Sequence, residues 1–371
     1  MHTILFLSMI SIRSCGGFFI SQFRKNYGVK SSSRLISSNF RMMQENTEMQ
    51  QMNEYSSPAI SWYPGHIAKA ERELADYIKK VDVVIEVRDG RIPYATTHPS
   101  VPEWVGSRPL IVVIVRIDQI SKKALADWRE HYTMNPAHPN RPDTKVYFVD
   151  GKIGSGVLTL KKQALKSSVA INKKRKSRGI QPRAVRAAVI GFPNVGKSAI
   201  INRLLGKRMA RSKNMPGVTR SLQWVRLGGS NMEGIQSQED SIELLDSPGI
   251  IPAKQLDQDK AIYLAICNDI GEASYDRVVV ASHLIDRLNS VHKVAPAYVD
   301  MKLLKERYNL PIDEMTGEEV VYEVSQTRYK GNMISSADRL LGDFRKGLMG
   351  RVSLEVPEFI RERERKKGIR R

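Results

Sequence analysis

Cysteine is almost absent from this chain of 371 residues. There are two, Cys15 and Cys267, far apart and in dissimilar surroundings. That excludes a disulfide scaffold and a cysteine-built metal centre, and makes a reducing interior the default compartment. Long apolar runs are missing as well. Residues 4–12 are too few for the roughly 20 that a spanning helix needs, and no later segment approaches that length, so a soluble mature protein without integral membrane contact is expected. Acidic residues are missing from residues 1–44, which hold six Lys/Arg and nine Ser before the first acid, Glu45. An acid-free start bearing Ser and Arg reads as a chloroplast or mitochondrial transit peptide, so residues 1–55 are set aside as presequence or disordered tail. A secretory signal built on residues 4–12, or a tail with no address, is the alternative.

What remains is ordinary in composition, 41% hydrophobic and 26% charged, and long enough for two domains. The balance of 59 Lys+Arg against 39 Asp+Glu gives +20. Residues 1–55 carry only three of these charges, so the basicity belongs to the folded part. Short β-rich apolar runs fall at 82–87, 110–115, 145–149, 187–190, 222–227 and 242–245. Most are continuous rather than alternating, as strands buried on both faces are, and helical patterns lie between many of them. The fold class is therefore α/β, with about six mostly parallel strands. After Pro252 the spacing turns helical, as in Ala261, Leu264 and Ala265, and predicts a smaller C-terminal α-helical domain. Between the third and fourth strands, residues 151–190 hold eleven Lys/Arg and no acid, which predicts a helix and solvated linker with a basic surface.

Gly191-Phe-Pro-Asn-Val-Gly196-Lys197-Ser198 is a complete G-x-x-x-x-G-K-S set, placed after one strand and before the helical run 199–205. In that context the backbone of Pro193, Asn194, Val195, Gly196 and Ala199 and the helix N-terminus face phosphates. Lys197 neutralises them and Ser198 ligates Mg²⁺. This predicts a nucleoside-triphosphate site. Downstream, Asp246-Ser-Pro-Gly249 follows a strand, where Asp246 can hold Mg²⁺ and the Gly249 amide can meet a γ-phosphate. Thr219, in Pro216-Gly-Val-Thr219, offers a further Mg²⁺ ligand. No N-K-x-D element follows Asp246. Upstream, however, strand 110–115 ends in Val115-Arg116-Ile117-Asp118 and the next in Asp150-Gly151-Lys152, the places where base-side elements would sit in a circularly permuted chain.

The sequence Trp62-Tyr-Pro-Gly-His66, the run Glu86-Val-Arg-Asp89-Gly90-Arg91-Ile-Pro93, the order of base-side elements, P-loop, Thr219 and Asp246, and the late Asp343-Phe-Arg-Lys-Gly347 together resemble one family. They resemble the DAR GTPases of the RbgA/YlqF type, circularly permuted ribosome-assembly GTPases, and in particular an organellar, plant-like branch. The resemblance implies a permuted GTPase domain at 56–252 with the basic linker at 151–186, a helical RNA- or ribosome-binding domain at 253–357, and a basic tail at 358–371. It implies GTP/GDP and Mg²⁺ as cofactors, with hydrolysis that a ribosome stimulates. The implied partners are a large ribosomal subunit precursor and its rRNA, met by a monomer, in the plastid stroma in preference to the mitochondrial matrix. It also implies that His66 positions water and that Asn194 stands where potassium-activated relatives hold K⁺.

The sequence departs from the family in places. Its Asp-Ala-Arg reads Asp89-Gly90-Arg91, a change that frees the backbone. The base-reading Asn position is Val115 and the Lys position is Arg116. Asp118 can still accept from the guanine N1 and N2 edge, but Val115 offers no amide, and a polar partner lost from a base site costs about 1–3 kcal/mol. A weakened GTP preference is expected. Ile250 replaces the Gln that orients water in Ras-like enzymes, so intrinsic hydrolysis should be slow. The opposing reading is a degenerate nucleotide-binding RNA scaffold. A P-loop kinase would need an acceptor lid and a catalytic base, and neither is found.

Overall fold

Uninterrupted Val and Ile runs build the centre of the molecule. A computed structural model describes residues 64–206, 223–226, 242–247, 249–252 and 257–360. The strands are β1 (Val83–Asp89), β2 (Leu110–Val115), β3 (Lys145–Phe148), β4 (Val185–Gly191), β5 (Gln223–Arg226) and β6 (Ile242–Asp246). Every residue of β1 and β2 is buried, as expected of strands covered on both faces, whereas β3 is a half-exposed edge. Among the described residues they form one sheet in the order β3-β2-β1-β4-β6-β5, all parallel except β5, which runs antiparallel to β6. The six apolar runs expected from the sequence are these six strands, with ends shifted by a few residues.

One face of the sheet, including Val84, Ala188 and Leu245, packs on α1 (Pro64–Ile78) and α2 (Val101–Val105). α3 (Lys122–Met134) links β2 to β3, α4 (Val157–Lys176) links β3 to β4, and α5 (Lys197–Leu205) follows β4. The opposite face, with Val83, Ile85, Val87, Ala187 and Val189, shares one apolar core with α4, α5 and the helices beyond residue 257. On β1 three charged residues, Glu86, Arg88 and Asp89, are fully buried. Arg88 Nη2 donates to Glu86 Oε2 at 2.7 Å, and His138 Nε2 stands 2.6 Å from the same oxygen. Burial alone would raise the Glu86 carboxyl, but Arg88 and His138 outweigh it and hold the group down to about 2.

The C-terminal region is helical, as the spacing predicts: α6 (Gln258–Ile266), α7 (Arg277–Val294), α8 (Met301–Tyr308), α9 (Gly317–Tyr329) and α10 (Met333–Arg345). Its starts are capped by side chains that satisfy orphan amides. Asp276 accepts from Val278 and Val279, Thr316 and Glu319 form a capping box, and Asn332 accepts from Ser335. Asp343, from the late family motif, is structural. Its Oδ2 accepts from Arg307, Tyr308 and Arg339, each at 2.9 Å. Residues 352–355 then cross back to the loops after β1 and β2. Val352 N donates to Gln119 O, Leu354 N donates to Arg91 O, and Glu355 accepts from the amides of Tyr94 and Ala95.

Candidate functional site

All five parallel strands point their C-terminal ends at one edge, and the sequence motifs are the loops that leave it. In chain order the sheet grows from β1 outward through β2 and β3, then returns to β1's other side with β4 and β6. The order therefore reverses between β1 and β4, where open α/β sheets bind ligands.

The P-loop follows β4. Asn194 lies in the left-handed region at φ 54°, Gly196 at φ 112°, and α5 begins at Lys197. This turns successive amides and a helix N-terminus toward one concavity, a cradle for an anion. Gly249 is held against it so closely that a Cβ there would stand 2.3 Å from Pro193 Cα. Ile250 N donates to Gly191 O at 3.1 Å, which buries the Ile250 side chain in the apolar layer beneath. Lys197 is 6% exposed, and its Nζ donates to Phe192 O at 2.7 Å and Gly191 O at 3.2 Å. Its ammonium is thus stored at the loop it would use for phosphate.

The upstream motifs arrive at the same place. Arg116, at φ 58°, donates from Nη2 to Asn194 O at 2.6 Å and has its Nε 3.1 Å from Asp89 Oδ2. Val115 is buried, and a Cβ on Gly196 would lie 3.4 Å from Val115 Cγ2. Asp118 sits in a 3₁₀ turn and pairs with Lys152 Nζ at 2.6 Å. Asp150 Oδ1 accepts from the amides of Lys152 and Ile153, which shapes that loop. Gly151 faces Ala199, and Arg203 Nε on α5 donates to Gly151 O at 3.0 Å. Asp118 and Lys152 therefore stand together beside the P-loop, although they precede it in the chain.

Of the other expected residues, Ser198 opens α5 beside Lys197, and Asp246 ends β6 with its side chain outside the described residues. His66 falls in the first turn of α1, its side chain likewise outside that set. Thr219 lies outside it altogether. The donor set present fits a nucleotide with a divalent cation: backbone amides and Lys197 for phosphate, and the Ser198 hydroxyl for the metal. Among the described residues no cluster of His, Cys, Asp or Glu could hold a metal by itself.

Sequence reasoning missed the third wall of the site. After α6 the turn Cys267-Asn268-Asp269 lies on the P-loop, where Asn194 Nδ2 donates to Asn268 O at 2.7 Å. Asp269 is fully buried, and neither carboxylate oxygen has a hydrogen-bond partner. Burial pushes its carboxyl well above the ordinary range and the Asp89 charge adds to that, while Arg91, Arg116 and Lys197 offset only part. Arg91 forms a bidentate pair with Asp89 at 3.0 and 2.7 Å and lies over the Phe344 ring of α10. For Asp89 the balance is reversed: burial would raise its carboxyl, but Arg91 and Arg116 outweigh it. Only helix-end polarity marks Asn268 and Asp269 in the sequence, a signal shared with any surface turn. Cys267 is a free, buried thiol that burial keeps protonated.

Residues 186–312 match the family model described as 50S ribosome-binding GTPase. The chain is 31% identical over 307 residues to Ribosome biogenesis GTPase A of Bacillus pumilus, covering 81% of this chain and 99% of that relative. It is 27% identical over 317 residues to Mitochondrial ribosome-associated GTPase 1 of Ictalurus punctatus, covering 79% and 92%. In fold it is similar to the solved GDP-bound structure of TM YlqF, with a TM-score of 0.51 at 21% identity, over 77% of this chain and 100% of that one.

Proposed function

Since the chain belongs to the ribosome biogenesis GTPase A family, we propose that it is a GTP-hydrolysing assembly factor for the large ribosomal subunit of an organelle, bound to rRNA in its GTP state. Its order of elements, base side before P-loop, is read as a circular permutation. The observation that carries the reading is the meeting of Asp118 and Lys152 with the P-loop at one strand edge. Asp118 then reads the guanine edge and Lys152 orients it. The amides from Asn194 to Ala199 and Lys197 bind the phosphates, while Ser198, Thr219 and Asp246 hold Mg²⁺, which neutralises charge on the transferring phosphoryl group. Asn194, whose amide nitrogen is engaged by Asn268, keeps its oxygen for K⁺. Gly249 senses the γ-phosphate and His66 positions water.

Burial of Ile250 leaves no side chain at that position to orient water, which supports slow intrinsic turnover and stimulation by the ribosome. Residues 253–357 serve as the ribosome-binding part of a monomer. No helix among the described residues is long and apolar enough to cross a membrane. Residues 1–55 act as the import signal, with the plastid stroma placed before the mitochondrial matrix; the mitochondrial relative supports an organelle without choosing between them. Import of a tagged chain into isolated plastids and mitochondria decides that point.

The deciding measurement is GTP turnover with and without large-subunit precursors. Stimulation that collapses in Lys197→Ala is expected; an unchanged stimulated rate in that variant refutes the proposal. A second reading, a scaffold with a degenerate base site, is favoured by Val115, whose side chain is buried in the core. Single-turnover hydrolysis absent with and without subunits would select it.

A further inference from the structure

α4 has seven Lys/Arg in its 20 residues and no acid. Its inner side is fixed. Val157, Leu160 and Ala164 are buried in the main core, Asn172 bonds both the carbonyl and the amide of Arg183, and Arg183 holds Asp82 with two bonds at 2.7 and 2.8 Å. At 3.6 residues per turn, Leu158, Lys162, Lys166, Val169 and Lys173 fall on the opposite side. Leu158 and Val169 are 74% and 69% exposed. Among the described residues no carboxylate lies within ion-pair distance of Lys162, Lys166 or Lys173.

Basic residues in the last turn of a helix are explained by its dipole, but Lys162 and Lys166 lie in the first half, where the dipole gives a cation nothing. Like charges four residues apart also repel. This face thus costs the isolated protein a little stability, which an anionic partner would return. We propose that it is a docking surface for the phosphate backbone of duplex RNA. The proposal rests on the ribosome-assembly reading and assigns that RNA a contact outside the C-terminal helices. Residues 151–186 contain no aromatic side chain on which unpaired bases could stack, which favours a duplex over a single strand. Leu158 and Val169 then lie against sugar carbons between the phosphates. The helix starts five residues after Lys152, so bound RNA would sit next to the base-side loop.

The test uses the full chain with a non-hydrolysable GTP analogue and a fluorescent RNA duplex of about 20 base pairs, titrated across a salt series. The variants are Lys162→Gln/Lys166→Gln/Lys173→Gln and Leu158→Ser/Val169→Ser, all on exposed positions and both expected to keep nucleotide binding. The lysine variant should bind about tenfold or more weakly, with the slope of log K against log salt shallower by about three. The apolar variant should bind more weakly with its slope unchanged. An unchanged slope in the lysine variant, with wild type binding normally, overturns the proposal and leaves the family reading intact. Wild type that associates with ribosomal subunits but not with the duplex also overturns it. So does loss of subunit association in the apolar variant alone, which would identify a protein partner. Wild type that binds neither duplex nor subunits fails the assembly reading itself.

Discussion

Arg116 Nη2 donates to Asn194 O at 2.6 Å, across 78 residues of chain. The residue that stands in place of the family's base-side lysine thus bonds the backbone of the phosphate loop, while its Nε meets Asp89. Asp118, two residues on, is placed by the same turn. The loops after β2 and β4 are consequently joined through Arg116 rather than by adjacency in sequence.

Arg116→Ala should therefore weaken nucleotide binding without touching a nucleotide-reading atom. Loss of one charge-assisted bond of about 1.5–3 kcal/mol corresponds to roughly tenfold or more in Kd. Titration with a fluorescent GDP analogue measures it. Arg116→Lys, which can reach only one of the two partners, should fall between. Equal affinity in Arg116→Ala and wild type would show that the loop holds its shape unaided.

Gly90 occupies the family's alanine position, and a Cβ there would stand 2.6 Å from Val115 O, to which Gly90 N donates at 2.9 Å. The glycine is thus required by close approach of two chains, where the sequence suggested only a freer backbone. Restoring the family residue with Gly90→Ala should destabilise the protein by about 1–3 kcal/mol, as overpacking does. Urea unfolding gives the value. A variant as stable as wild type would mean that β1 and β2 separate at little cost.

Asp269→Asn should stabilise the nucleotide-free protein near neutral pH, because burial without a hydrogen-bond partner penalises the ionised carboxylate, so folding costs the wild type a proton uptake that the amide does not need. The folded pKa is raised, so the wild-type carboxyl contributes its full stability below the unfolded value near 4 and loses it as pH rises through the folded value. The variant's advantage is therefore largest at alkaline pH and vanishes toward pH 4. A gain of about 1 kcal/mol would appear as roughly 2–4 °C in Tm. Melting curves across pH 5–8 test the sign. A variant less stable than wild type at pH 8 would mean that Arg91, Arg116 and Lys197 keep the carboxylate ionised.

Glu355 is buried with its carboxyl pushed up to about 7, because burial outweighs the two amides and the cations Lys260 and Arg287. Glu355→Ala leaves the amides of Tyr94 and Ala95 without their acceptor, each at about 1–3 kcal/mol. Hydrogen exchange at these two amides should accelerate more than at the strand amides of β2. Uniform acceleration would instead indicate global destabilisation.

The strands and P-loop were legible because each is a local pattern: unbroken Val/Ile runs such as residues 110–115, and glycines at fixed spacing before a helix. The strand ends Val115-Arg116-Ile117-Asp118 and Asp150-Gly151-Lys152 stood out as motifs, and the fold brings both to the P-loop. What could not be read was which long-range partner each residue takes. In the sequence Arg116 is a departure from a motif, whereas in the fold it is a bond to Asn194. Asn268 and Asp269 look like a helix end and turn out to lie on the P-loop.

A chain of contacts joins the P-loop to the C-terminal helices through the turn after α6. The residues after Gly249 lead toward the helical region; the fold adds a second link, from Asn194 to Asn268 O and from the end of α6 to α10. Arg345 supplies its last step. Nε donates to Ile266 O at 3.0 Å and Nη2 donates to Ala265 O and the Tyr275 hydroxyl, both at 2.9 Å. Ile266 O is one of the carbonyls that a helix C-terminus leaves over, and Ala265 O also accepts from Asn268 N at 3.0 Å, so Arg345→Met should cost about 2–3 kcal/mol at roughly 1 kcal/mol per net bond. It should also release the Asn268 turn from α10 and quicken GDP dissociation, although Arg345 touches no part of the P-loop. Stopped-flow release of a fluorescent GDP analogue measures this, with urea unfolding as the control. Faster release in Arg345→Met, but not in a surface variant such as Lys302→Gln, supports the path. Unchanged release in a measurably destabilised Arg345→Met would confine Arg345 to packing and leave Gly249 as the route.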